Sequence, residues 1–263
     1  MLFIGYPPPD LAHYIDSCWS ITSEGKSGTS FHEIFPDSNM KLVFRFSLSA
    51  CRMVLMGPVT EKSTVEIDEA SDYFGFRFRP GQTPRLADVH AADLVDSCVD
   101  ILQIRGVSID SLAGQLCPLQ DHAQRQRVME ELVRGCLPLV TDRRCLRATA
   151  LVDAHGGRLR VNELASRLGL HIRTLERLFN SQLGVSPKRL TRFLRLRQIF
   201  SHLHAGKYES LAELAHACGY ADQSHMIKEF KELTGRLPGD KAACEPQPVA
   251  GPPRTRIVHR YRP

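Results

Sequence analysis

The stretch LGLHIRTLERLFNSQLGVSP, residues 168–187, decides how the second half of the chain is read. Its spacing predicts a helix from 172 to 183 that buries Leu175, Leu178, Phe179 and Leu183 on one face. The opposite face carries Arg173, Glu176, Arg177 and Asn180. Gly169 and Gly184 bracket the element, where a helix end needs positive φ for the chain to reverse. Ser186-Pro187 then supplies an N-cap and a first-turn proline for a following helix. A short, well-anchored helix holding two guanidiniums and a carboxylate outward fits a solvated face as readily as a binding edge. Its surroundings separate the two.

The stretch is half of a repeat. NELASRLG at 162–169 matches AELAHACG at 212–219, and LFNSQLGVSP at 178–187 matches EFKELTGRLP at 229–238, with one extra residue in the second turn. Ala165 and Ala215 permit close helix approach, and Leu175 and Met226 begin the buried stripes. The pattern is helix, tight turn, helix, written twice. Between the copies lies KRLTRFLRLRQIFSHLHAG, a basic amphipathic helix. Its roughly 17 residues span about 25 Å at 1.5 Å per residue. With the offsets at each end, this places the second helix of each pair near one DNA turn apart, about 34 Å.

Charge divides along the same line. Residues 1–142 hold 12 Lys and Arg against 19 Asp and Glu, and residues 143–241 hold 18 against 9, inside a chain of net charge +5. A net of −7 followed by +9 points to a polyanionic partner for the second half alone. The last stretch, EPQPVAGPPRTRIVHRYRP, is rich in Pro and Arg without periodicity and is expected to be a disordered basic tail, 244–263.

The first 85 or so residues carry a period of two. MKLVFRFSL alternates Leu42, Phe44 and Phe46 against Lys41, Val43 and Arg45; YFGFRFRPG sets Phe74, Phe76 and Phe78 against Gly75, Arg77 and Arg79. From about Ala91 the spacing turns helical, through Leu94, Cys98, Ile101 and Leu102 and again through Val128, Leu132, Cys136 and Leu139. These positions suit a helical connector packed on the β unit or, equally, a helix–helix contact between two copies.

The repeats LASRLGLHIRTLERLFNSQLGVSP and LAELAHACGYADQSHMIKEFKELTGRLP make residues 143–243 resemble the DNA-binding domain of AraC/XylS-type bacterial transcriptional regulators. FHEIFPDSNMKLVFRF and GFRFRPG resemble the β-rich, cupin-like domain ahead of it in one subset of that family. The expected fold is therefore α+β: a β-rich domain with helical connector over 1–142, an all-α domain of two helix-turn-helix units joined by a linker helix over 143–243, and the tail.

The resemblance implies a sequence-specific regulator of transcription, with double-stranded DNA and RNA polymerase as partners. Base contacts fall on Arg173, Glu176 and Arg177 in the first unit and on Gln223, Ser224 and Lys228 in the second. Arg suits guanine O6 and N7, Gln suits adenine, and Glu accepts from cytosine N4. Lys188, Arg189, Arg192 and Arg195 are the expected phosphate contacts. A homodimer contact is expected through the N-terminal domain or residues 91–140. His171 stands where such domains usually have a Ser or Thr cap, and Met226 where they usually have Phe.

Arg77 and Arg79 share a strand face and suit an anionic small-molecule effector. The plainer alternative is a face that balances the acidic half. No metal or other cofactor is expected, because His32 and Glu33 are adjacent and point to opposite faces, while His13 and His90 stand alone. The eight cysteines include no CxxC and read as reduced, buried thiols, with nothing beside Cys18 or Cys51 to activate them. An enzyme is therefore not expected. No apolar run approaches the roughly 18 residues of a membrane helix, so a cytoplasmic, nucleoid-associated protein is expected. Two rival readings remain: a ligand-binding or enzymatic β domain with a nucleic-acid tether, and a DNA-binding protein without sequence preference.

Overall fold

The computed structural model describes residues 2–23, 28–47, 51–82, 84, 89–101, 121–135 and 142–240. The proposed tail at 244–263 lies outside them, as do Leu102, Cys136 and Leu139.

Among the described residues eight strands build the N-terminal part: β1 (Leu2–Gly5), β2 (Ile15–Ile21), β3 (Thr29–Ile34), β4 (Lys41–Phe46), β5 (Cys51–Met56), β6 (Ser63–Asp68), β7 (Asp72–Phe78) and β8 (Cys98–Asp100). Six form an antiparallel sheet in the order β1-β2-β7-β4-β5-β8, and β3 pairs with β6. The alternation in β4 and β7 puts Leu42, Phe44, Phe46, Phe74, Phe76 and Phe78 into one core, covered by Met129 and Val133 of helix α1 (His122–Gly135). The opposite face is buried too. Trp19, Val43, Val54 and Tyr73 pack there with Ile34 of β3 and with Val65 and Ile67 of β6. Gly75 is required beneath Trp19, because a Cβ would sit 2.0 Å from the indole.

The helical period expected from Ala91 is corrected by the structure. Ala91–Leu94 is a single 3-10 turn, and Cys98–Asp100 is strand β8, pairing Val54 with Asp100 and Met56 with Cys98. A turn followed by a strand buried on both faces satisfies the same apolar spacing as a helix. Leu94, Cys98 and Ile101 are 3%, 1% and 0% exposed and pack into the two cores of the β domain, as the packing alternative for these three positions expects.

The remaining described helices are α2 (Arg143–Ala154), α3 (Val161–Leu168), α4 (Ile172–Leu183), α5 (Pro187–Ala205), α6 (Leu211–Ala217) and α7 (Gln223–Thr234). Asp142 caps α2, Ser186 caps α5 with Pro187 in its first turn, and Asp222 caps α7. Gly169 and Gly184 take φ of +63° and +68°, where a side chain would be strained. The repeat's Leu164, Ala165, Leu214 and Ala215 are all buried in one core with Leu175, Phe179, Met226 and Phe230. Helix α5, 19 residues long, is a rod of about 28 Å between the two hairpins.

Candidate nucleic-acid interface

Arg173, Glu176 and Arg177 of α4 and Gln223, Ser224 and Lys228 of α7 are exposed, each within the first six residues of its helix. Beneath them the apolar stripes are sealed: Leu175 and Met226 are both 0% exposed. No ion pair or side-chain hydrogen bond ties Arg173, Glu176, Arg177 or Lys228 to a neighbour among the described residues. Elsewhere on the same domain, a solvated pair does form, between Arg167 and Glu163 at 2.6 Å. The charged face of α4 is thus left without an ion pair among the described residues. His171 keeps the capping role despite its unusual type, its Nδ1 accepting from the Arg173 N–H at 3.3 Å.

The four expected phosphate contacts divide. Lys188 and Arg189 are exposed in the first turn of α5. Arg192 and Arg195 instead turn inward onto Glu229 of α7. Arg192 Nε donates to Glu229 Oε2 at 3.1 Å, and Arg195 Nη2 donates to Oε1 at 2.9 Å. Tyr220 donates its hydroxyl to Oε1 at 2.7 Å, and the Arg195 guanidinium lies over the Tyr220 ring at 4.8 Å. Burial pushes the Glu229 carboxyl up, but the hydrogen bonds from Tyr220 and Arg195 and the two guanidinium charges outweigh it and hold the group below its ordinary value.

Sequence reasoning did not single out Glu229. The signal was present, since Glu229 follows Met226 by three residues on the buried stripe of α7. A carboxylate at a core position demands a cation.

Arg77 is largely buried among polar partners, whereas Arg79 is 41% exposed and donates Nε to the Ala12 carbonyl at 2.8 Å. Arg77 donates to Asn39 Oδ1 at 2.9 Å and lies 3.7 and 3.6 Å from Asp16 and Asp37. Arg79 lies 4.0 Å from Asp16 and 3.9 Å from Asp153 of α2. Arg197 of α5 bridges the same two carboxylates, at 3.2 Å from Asp16 and 2.5 Å from Asp153. Only Arg77 of the two lines a cavity of about 740 Å³ between the β domain and α5, walled by Ile34, Phe35, Leu196 and Phe200.

The β domain also reaches the C-terminal ends of both exposed helices. Gly184, after α4, packs on Ala91, Ala92 and Val95. Beyond α7, Arg236 pairs with Glu33 of β3, which also holds Lys62 at 2.5 Å. The ends that carry the polar residues point away from these contacts.

Two anchored hairpins with free polar edges define a helix-turn-helix protein. Residues 164–242 match the model of a helix-turn-helix domain, and residues 6–100 match that of a domain of unknown function (DUF6597). The HTH-type transcriptional activator RhaS of Pectobacterium carotovorum is 33% identical over 75 residues, which is 28% of this chain and 26% of that protein. RhaS of Yersinia pestis is 30% identical over 118 residues, 43% of each chain. The chain therefore matches between about a quarter and a half of the length of these curated relatives.

Among solved structures, the DNA-binding domain of AdpA in complex with a target DNA is 27% identical with a TM-score of 0.33, over 35% of this chain and 83% of that one. Unsaturated fatty acid bound ToxT of Vibrio cholerae is 14% identical with a TM-score of 0.46, over 90% and 93%. The chain carries an AraC/XylS-type double helix-turn-helix domain behind a β-rich domain.

Proposed function

We propose that this protein is a sequence-specific DNA-binding regulator of bacterial transcription, with α4 and α7 entering successive major grooves. The observation that carries this reading is the pair of unpaired polar edges, Arg173/Glu176/Arg177 and Gln223/Ser224/Lys228, on helices whose other faces are buried. Lys188 and Arg189 supply sequence-independent phosphate contact, while Arg192 and Arg195 shape the domain from within. As such a regulator the protein works on the nucleoid in the cytoplasm, meets RNA polymerase at its promoters and is no enzyme. The thiols suit that reading, since burial pushes Cys18 and Cys145 up to about 12 and Cys98 and Cys218 up to about 11, far from a reactive thiolate.

Selection of sites from random duplexes tests the function directly. Arg173→Ala is expected to cost about 1 to 3 kcal/mol on the selected site and to relax choice at one base pair. Lys188→Ala is expected to weaken all duplexes alike and to flatten the salt dependence. Equal weakening of selected and random DNA by Arg173→Ala would remove the base-reading role.

The cavity favours an effector reading in addition. Among its apolar walls the cavity sets Arg77 and Arg197 beside Glu33 and Asp37, and the two guanidiniums suit the anionic end of an amphipathic ligand. A fluorescent anilinonaphthalene sulfonate is expected to bind saturably, and Arg77→Gln to weaken it about tenfold, the worth of one charge-assisted hydrogen bond. Arg79→Gln, which lies outside the cavity, is expected to leave that binding unchanged. Equal losses in both variants contradict the assignment.

A further inference from the structure

Glu229 is the one charged residue buried among the described residues of the helical domain, at 8% exposure, and its contacts reach well beyond its own helix. Oε1 accepts from the Tyr220 hydroxyl in the α6–α7 turn and from Arg195. Oε2 accepts from Arg192 and again from Arg195 at 3.2 Å. Arg192 and Arg195 lie three residues apart on α5, so they share one face of the rod and grip the carboxylate from two levels. Arg192 also holds Glu232, one turn further along α7, at 2.8 Å. Arg195 continues across the rod, with Nη1 3.5 Å from the carbonyl of Gly157 in the α2–α3 loop. That loop is pressed on α5 so closely that a Cβ on Gly157 would lie 2.4 Å from the Thr191 carbonyl oxygen. A single carboxylate thus joins the second reading helix, its turn and the rod, and through Arg195 it reaches the first unit.

Hydrophobic packing alone fixes such a joint poorly, because apolar side chains tolerate sliding and small rotations. Directional, charge-assisted bonds to a planar carboxylate do not. On DNA the tolerance is small: one base pair turns the groove by about 34 to 36° and advances it by about 3.4 Å.

Resting on the reading of α4 and α7 as two base-reading helices, we propose that Glu229 is a positioning residue which sets the angle and separation of those helices. It thereby determines the spacing between half-sites that the protein accepts. Glu229 touches no base in this role. It acts through Arg192, Arg195 and Tyr220, and the bases within each half-site remain the business of the exposed edges.

The test uses the full chain and the duplex it selects from a random pool, together with versions of that duplex lengthened or shortened by one or two base pairs between the halves. Wild-type protein is expected to lose about tenfold or more in affinity per inserted base pair, as a rigid two-groove reader should. In Glu229→Gln, isosteric but uncharged, that penalty is expected to shrink to about threefold or less while base preference inside each half-site is retained. Arg173→Ala serves as the contrast, with weaker binding but an unchanged spacing profile. A merely structural Glu229 would lower the melting temperature and leave the spacing profile as in wild type, and that result overturns the proposal. If circular dichroism shows Glu229→Gln to be unfolded, Tyr220→Phe, which removes one bond to the carboxylate, decides by the same readout. A broadened profile supports the proposal and an unchanged one overturns it. Wild-type protein that binds selected and random duplexes equally defeats the regulator reading, and this inference falls with it. A sharp wild-type profile matched by an equally sharp Glu229→Gln profile defeats this inference alone.

Discussion

Gly184→Ala is expected to lower the unfolding free energy by about 2 to 5 kcal/mol, the sum of two separable costs. The first is backbone strain. Gly184 has φ +68°, and an L side chain in that left-handed region costs about 1 to 2 kcal/mol. The second is steric. A Cβ there would lie 2.3 Å from Val95 Cγ2, 3.0 Å from Ala92 Cα and 3.1 Å from the Ala91 carbonyl oxygen. Two of these three neighbours are backbone atoms of the 3-10 turn, which cannot swing aside as a side chain can, and overpacking of this kind adds about 1 to 3 kcal/mol. Gly169→Ala isolates the first cost, because φ is +63° but nothing lies within 4 Å of the added carbon. Urea titration of both variants checks the argument. Gly184→Ala should be the more damaging by the steric difference, and it should also loosen the β domain from α4. Equal effects at the two glycines would mean that the 3-10 turn does not press on the end of α4.

Which parts of this architecture were legible in the sequence follows from how local each signal is. Helices α4 and α7 rest on a 3.6-residue period punctuated by glycine and by capping residues, all within about twenty positions, and the repeat states the pattern twice. The alternation in β4 and β7 was equally local. That both faces of the main sheet would be buried was not, because the cover on the second face, β3 with β6, comes from other parts of the chain. Leu94, Cys98 and Ile101 misled for a related reason: spacings of four and three residues fit a helix, and a turn leading into a strand buried on both sides meets them as well.

The signs of the charges were legible, and their partners were not. Arg192 and Arg195 read as a basic face of a basic helix, yet the carboxylate that turns them inward lies 37 and 34 residues away. Arg79 and Arg197 converge on Asp16 and Asp153 from distant parts of both domains. The exposed edges were legible because nothing remote intervenes there, and the solvent-facing side of α4 and of α7 is where the helical period puts it.

Phe230→Ala is expected to be the most damaging single truncation in the second unit, at about 3 to 5 kcal/mol, the range for a buried aromatic cut to a methyl group. Phe230 is fully buried beside Met226 and Leu233 in the core that anchors α7. Its ring stands 5.4 Å from Phe200 of α5, and Phe200 stacks at 5.1 Å on Phe35 of the β domain. The three rings form a ladder from α7, through α5, to the wall of the cavity between the β domain and α5. Truncating the inner rung removes both core volume and one ring contact, whereas Phe35→Ala at the outer rung forfeits chiefly a stacking contact worth about 0.5 to 1.5 kcal/mol. Protection of selected DNA should follow the same order. Phe230→Ala should lose the half-site read by α7 and keep that read by α4, since Leu175, Phe179 and Leu183 still anchor the first unit. Phe35→Ala should keep both half-sites. Loss of both half-sites together in Phe230→Ala, in protein whose first unit is still folded, would show that α4 does not hold its half-site without α7.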